Sequence, residues 1–157
     1  MDDKSKKEIQ AFKALEKGNH LEAEILLRQI VSSGTNNYFV YGSLAVLSEK
    51  KGNINEMLGY LMHSIKLNPN YAEGHFNLGI IYLKKGDFDN AVNSFLNTIR
   101  IRPGDSNALN MLGVAFFKKG NIKSSISYYS KAIELNPQND KIYNNLAIAY
   151  SKSGNLE

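Results

Sequence analysis

Three observations predict an all-α fold built from repeated helix-turn-helix units. Glycines recur at Gly18, Gly52, Gly86, Gly120 and Gly154, each followed by Asn or Asp (Asn19, Asn53, Asp87, Asn121, Asn155). The step is about 34 residues throughout, and a sustained period of that length marks stacked helical hairpins. Pro69, Pro103 and Pro137 keep the same spacing, as do Leu44, Leu78, Leu112 and Leu146, followed by the small residues Ala45, Gly79, Gly113 and Ala147. Within each period, finally, two apolar stripes at helical spacing flank the glycine.

Units beginning at Lys4, Tyr38, Ala72, Ser106 and Asp140 divide the chain into repeats 4–37, 38–71, 72–105 and 106–139 and a partial repeat 140–157, a single array with no linker. The third unit shows the logic best. His75, Leu78, Gly79 and Tyr82 stand at i, i+3, i+4 and i+7, and Phe88, Ala91, Val92, Phe95 and Ile99 form the second stripe. Gly86 can take the left-handed conformation that ends the first helix, and Asp87 can cap the next. The short break makes the pair an antiparallel hairpin. The small residues Ala45, Gly79, Gly113 and Ala147 read as points of close helix approach, with Ala91 or Ala132 supplying the matching gap on the second helix. Tyr82, Phe95, Phe116, Tyr129 and Tyr150 fill the space beside them. Pro69, Pro103 and Pro137, lacking an N–H, end the second helices of their repeats.

Composition removes several chemistries. The 157 residues are 43% hydrophobic and 22% charged, which is globular. There is no cysteine, hence no disulfide, thiolate metal site or cysteine nucleophile. The net charge of +4 is a small bias that permits an acidic partner but does not argue for nucleic acid. The polar start MDDKSKKEIQ is not a signal peptide, and no apolar run reaches the roughly 18 residues that would span a bilayer. A cytoplasmic protein without membrane contact is the expectation. His20, His63 and His75 have no ligand-spaced partners, no serine lies in a nucleophile elbow, and the glycines are hairpin breaks rather than a phosphate loop. No catalytic residue, metal or cofactor is expected, and the chain reads as a non-enzyme.

The pattern Leu-Gly/Ala, Tyr/Phe, Gly-Asn/Asp, Ala, Phe/Tyr, Ala and Pro resembles the tetratricopeptide repeat over nearly the whole chain, with residues 72–105 nearest its consensus. The resemblance implies a right-handed superhelical solenoid whose first helices line a concave groove that binds an extended peptide. The first repeat departs most: Gln10 stands for the leucine, Ala14 for the aromatic residue and Thr35 for the proline, which fits a solvated cap. The second carries Ser48 at the aromatic position and Met57 at the small one. Residues 140–153 make a first helix apolar on more than one face, including Leu146 and Tyr150. Gly154 and Asn155 then restart the pattern, as in a fragment of a longer array; the other reading makes this half-repeat the cap.

Carried over, the register puts Phe12, Val46, Ile80, Val114 and Ile148 in the middle of the groove. Phe76, Asn110 and Asn144 lie on one side, Asn77, Met111 and Asn145 on the other. An apolar stripe is ordinarily core, but Leu78, Gly79 and Tyr82 already account for the buried face, leaving Ile80 over. Asn77 and Asn145 match an inward asparagine that grips peptide backbone in long members of the family, since an amide both donates and accepts. Ser43 and Met111 interrupt that ladder. Lys50, Lys84, Lys118 and Lys152 recur at one position, either as complements to the helix macrodipole or as a rail for an acidic partner. The carboxylate-clamp set of the family is not matched: its places hold Glu8, Phe12, Ser43, Glu73 and Asn77. The site expected is therefore Val46, Phe76, Asn77, Ile80, Lys84, Asn110, Met111, Val114, Lys118, Asn144, Asn145 and Ile148. The partner expected is a protein or extended peptide, with self-association through the uncovered C-terminal helix as a further contact. An alternative makes the chain the substrate-recruiting arm of a larger transferase, such as a glycosyltransferase. RNA binding is disfavoured by the period and the prolines.

Overall fold

The computed structural model describes residues 3–154, and the break expected at Asn155 lies outside them. Among the described residues the secondary structure is helical: α1 (Asp3–Glu16), α2 (His20–Ser32), α3 (Tyr38–Lys50), α4 (Ile54–Leu67), α5 (Ala72–Lys85), α6 (Phe88–Ile101), α7 (Ser106–Lys118), α8 (Ile122–Leu135) and α9 (Asp140–Gly154). The fold class is an all-α helical repeat. The chain packs as two compact units divided between Gly74 and His75.

Local chemistry explains the boundaries. Gly52, Gly86 and Gly120 have φ of 72°, 76° and 87°, where a Cβ would clash, so each first helix ends there. The next residue caps the following helix: Asn53, Asp87 and Asn121 accept hydrogen bonds from the backbone N–H of Glu56, Asn90 and Ser124. Asn19 makes no such bond. The second helices stop at Leu67, Ile101 and Leu135, and the residues before the prolines, Asn68, Arg102 and Asn136, leave the helical region with φ near −134°, −129° and −142°. That is the conformation a following proline ring imposes. Helix α9 runs through Gly154 itself.

In the first unit, Leu27 and Ile30 of α2 pack with Ala11 of α1 and with Val40, Leu44 and Leu47 of α3. The loop residue Tyr71 lies over two glycines that have no side chain to obstruct it, Gly42 and Gly74. Where Ser48 replaces an aromatic residue, a polar network stands instead. Arg28 Nη2 donates to Glu56 (2.6 Å) and to the buried Glu24 (3.0 Å), Lys51 pairs with Glu24 (2.5 Å), and Ser48 Oγ donates to Glu56 (2.8 Å). The Lys51 hydrogen bond, followed by an opposing effect of burial and then by Arg28, holds Glu24 below its ordinary pKa; Arg28 and then Ser48 do so for Glu56.

In the second unit, Ala91, Val92 and Phe95 of α6 pack with Leu112 and Ala115 of α7, and Tyr129 and Ala132 of α8 with Ile142 and Ala149 of α9. The small positions have a more specific reason than close backbone approach. A Cβ on Gly79 would fall 2.5 Å from the Phe95 ring, and one on Gly113 2.6 Å from the Tyr129 ring. Glycine is the seat of an aromatic ring from the second helix, and the atoms nearest to it are those of that ring.

Candidate functional site

Helices α7 and α9 bring together four of the residues expected to contact a partner: Val114, Lys118, Asn145 and Ile148. Val114, Phe117 and Lys118 of α7, Asn145 and Ile148 of α9 and Tyr129 of α8 line a depression of about 190 Å³. Ile148 is 57% exposed, although it continues an apolar stripe. Asn145 is half-buried, and its Nδ2 donates to Oδ1 of Asn110 at 3.0 Å. Asn110 is only 7% exposed, so its side chain holds α9 against α7 rather than facing solvent. Asn144, one residue away, is exposed. Burial pushes the Tyr129 hydroxyl up to about 12, because the phenolate would have to shed its hydration.

On α5, Asn77 and Ile80 are half-buried, and the Asn77 amide makes no side-chain hydrogen bond among the described residues. Phe76 meets Phe95 edge to face at 5.7 Å, and with Met111 and Ile80 it leans on the α6–α7 core. These three side chains are therefore partly committed to packing. Val46, in the first unit, lines an open apolar cup of about 430 Å³ with Phe12, Leu15, Phe39 and Ser43. Phe39 was not anticipated from the sequence. It stands edge-on to Phe12 at 5.4 Å and remains exposed. Its position at the start of a helix, followed by the buried Val40, was the available signal.

The recurrent lysines do not form one uniform row. Lys50 Nζ lies 2.8 Å from His20 Nε2, Lys119 pairs with Asp89, and Lys152 sits over the Phe117 ring at 5.1 Å. Lys84 and Lys118 are exposed without an ion pair among the described residues. Of the histidines, the His63 ring packs tilted against Tyr41 with centroids 4.1 Å apart, and no cluster of metal-ligating side chains occurs among the described residues. None of the described helices is long and apolar enough to cross a membrane. At the C-terminal end, Tyr143, Ala147, Ile148 and Tyr150 of α9 are exposed, whereas Leu146 is not part of that face: it packs against the α7–α8 core.

A helical repeat that offers open apolar depressions, one of them edged by Asn145 and Lys118, is built as an interaction module. Comparison with known proteins agrees on the class. Models described as tetratricopeptide repeats match residues 40–71 and 60–93, and one described as a TPR repeat matches 113–154. The chain belongs to the tetratricopeptide repeat family. No curated protein matches it. Among solved structures it is similar to MamA 41-end from Desulfovibrio magneticus RS-1, at 21% identity and a TM-score of 0.87 over 98% of this chain and 88% of that one. It is likewise similar to a MamA RS-1 double mutant at 21% identity and a TM-score of 0.88, covering 98% and 87%. YrrB, described as a TPR protein with an unusual peptide-binding site, aligns at 23% identity and a TM-score of 0.75, covering 85% and 69%. At such identities the likeness is one of fold.

Proposed function

We propose that this chain is a non-catalytic protein-interaction scaffold that holds an extended peptide against its first helices. The observation that carries the reading is the depression between α7 and α9, where an exposed isoleucine, an amide and an unpaired lysine converge: Ile148, Asn145 and Lys118. Ile148 and Val114 supply apolar contact, Asn145 and Asn77 offer both donor and acceptor to a peptide backbone, and Lys118 and Lys84 favour acidic side chains. Each amide contact contributes about 0.5–1.5 kcal/mol net, so binding requires several at once. Similarity to a peptide-binding TPR protein supports the same class of ligand.

The test is to select extended peptides from a random display library on the full chain and measure them against variants. Acidic peptides are expected to dominate. Asn77→Ala/Ile80→Ala and Ile148→Ser are expected to weaken them at least tenfold with unchanged helicity. Undiminished binding by both variants removes the groove.

A second contact, self-association, is favoured by the exposed face of α9. Tyr143, Ala147 and Tyr150 occupy the positions that hold Leu109, Gly113 and Phe116 on α7, where α8 covers them. Tyr150→Lys is expected to abolish any concentration-dependent dimer seen by sedimentation; a dimer that persists in the variant assigns the contact elsewhere.

A further inference from the structure

The first repeat contains a cleft where the fourth repeat is filled by a pair of aromatic rings. Three periods on from Ala14 and Leu26 stand Phe116 and Tyr128, whose rings stack in parallel at 5.4 Å. With alanine and leucine in their place, an open cleft of about 560 Å³ runs along the seam between α1 and α2, lined by Leu21, Ile25, Leu26, Lys13 and Lys17 above a floor at the nearly buried Ala14.

The rim departs from the repeat pattern in the opposite sense. Leu21 is 72% exposed and Ile25 51%. Their counterparts in the next three repeats are Asn55, Asp89 and Lys123, and Gly59, Asn93 and Ser127, all exposed and none apolar enough to need covering. In those three repeats solvent therefore faces polar residues or glycine at these positions, and large aliphatic side chains stand there only beside the cleft. Two large aliphatic side chains next to an unfilled aromatic place make a receptor for an apolar anchor.

Charge restricts what can enter. Lys13 and Lys17 are exposed and make no ion pair among the described residues, while the one acid of the lining, Glu22, accepts from the Asn19 amide at 3.3 Å. On α3 the residues that meet the preceding helix are Val40, Leu44 and Leu47; the matching places on α1 hold Lys6, Gln10 and Lys13. A purely apolar helix of the repeat type would bury those lysines without partners, which disfavours it strongly.

We propose that the α1–α2 cleft is a docking site, separate from the first-helix groove, for an acidic amphipathic helix of a partner protein that inserts an aromatic side chain over Ala14 and sets carboxylates against Lys13 and Lys17. The anchor replaces the ring pair that the fourth repeat supplies from its own chain. Leu21 and Ile25 cover the neighbouring turn of the incoming helix at i and i+4 spacing.

The probe is a fluorescein-labelled synthetic helix of about four turns, with Phe and Leu on one face and Glu at its flanks, titrated into the full chain at low salt; its twin carries Lys for Glu. The acidic probe is expected to saturate and to bind at least tenfold more tightly than the twin. Ala14→Phe, which refills the cleft, and Leu21→Asn/Ile25→Asn, which restores the polarity of the sister repeats, each reduce binding at least tenfold. Lys13→Glu/Lys17→Glu reverses the preference between the probes. Circular dichroism shows that the variants fold, and the exposed Leu21 and Ile25 keep the test open should Ala14→Phe not fold. Equal affinity for both probes, or undiminished binding after Leu21→Asn/Ile25→Asn, overturns the proposal. So does loss of binding in Asn77→Ala/Ile80→Ala alone, which would move the probe to the groove, and so does dimerisation removed by the cleft substitutions, which would give the cleft to a second copy.

Discussion

Phe95 occupies the space in which Gly79 has no side chain: a Cβ on Gly79 would lie 2.5 Å from Cε1 of the ring. Phe95 is fully buried, so the ring cannot swing into solvent to make room. Alanine is the better helix former by about 1 kcal/mol, yet here it should lose. Gly79→Ala and Gly113→Ala are expected to destabilise the fold by about 1–3 kcal/mol through overpacking. Gly59→Ala, in α4 with nothing within 4 Å of the added methyl, should instead stabilise it by about 0.5–1 kcal/mol. Urea denaturation of the three variants reads the sign directly, and a stabilised Gly79→Ala would refute the ring seat.

Tyr129 makes the same unit sensitive to alkali. Its pKa is raised by burial from 10.0 to about 12, so the unfolded chain loses this proton first. The stability tied to the neutral hydroxyl is fully present below pH 10 and is lost as pH rises through about 12; it amounts to at most ~3 kcal/mol. Tyr129→Phe keeps the ring on Gly113 and should flatten the decline of stability between pH 10.0 and about 12, the window between the two pKa values. An unchanged slope in the variant would place the alkaline transition in another group.

Much of the hairpin architecture was legible in the sequence because its signals are local. Gly86 ends a helix by its own φ, Asp87 caps within three residues, and Pro103 acts on the residue before it. The pairing of side chains across elements was not legible. Asn110 and Asn145 hold different places in the repeat register, and their hydrogen bond depends on how α9 lies against α7. Lys50, Lys119 and Lys152 share or adjoin one sequence position yet meet a histidine, a carboxylate and an aromatic ring, because the partner comes from whatever helix is adjacent. Ser48, a weak aromatic substitute by pattern, turned out to anchor Glu56.

That network around Arg28 predicts acid sensitivity in the first unit. Glu24 and Glu56 both have pKa values below the ordinary 4.5, so the folded chain binds fewer protons than the unfolded one. Their contribution is present above pH 4.5 and is lost as pH falls through the depressed folded values. Glu24→Gln/Glu56→Gln should lower stability at neutral pH and leave a shallower loss between pH 5 and 3 (about the range of carboxylate titration). A double variant that loses stability with acid as steeply as the parent would show that other carboxylates govern the response.

The Asn110–Asn145 bond predicts an inequality between its two deletions. Asn110 is buried, so Asn145→Ala leaves its carbonyl oxygen without a partner and away from water, a loss of about 1–3 kcal/mol. Asn145 is half-exposed, so after Asn110→Ala its amide can turn to solvent, and the hydrogen bond itself costs only about 0.5–1.5 kcal/mol. The more exposed residue should therefore be the more damaging one to truncate, the reverse of what burial alone predicts. Urea midpoints of the two variants decide it. If Asn110→Ala is clearly the worse, packing around Asn110 outweighs the bond, and Asn145 is free to turn toward a bound peptide at little cost.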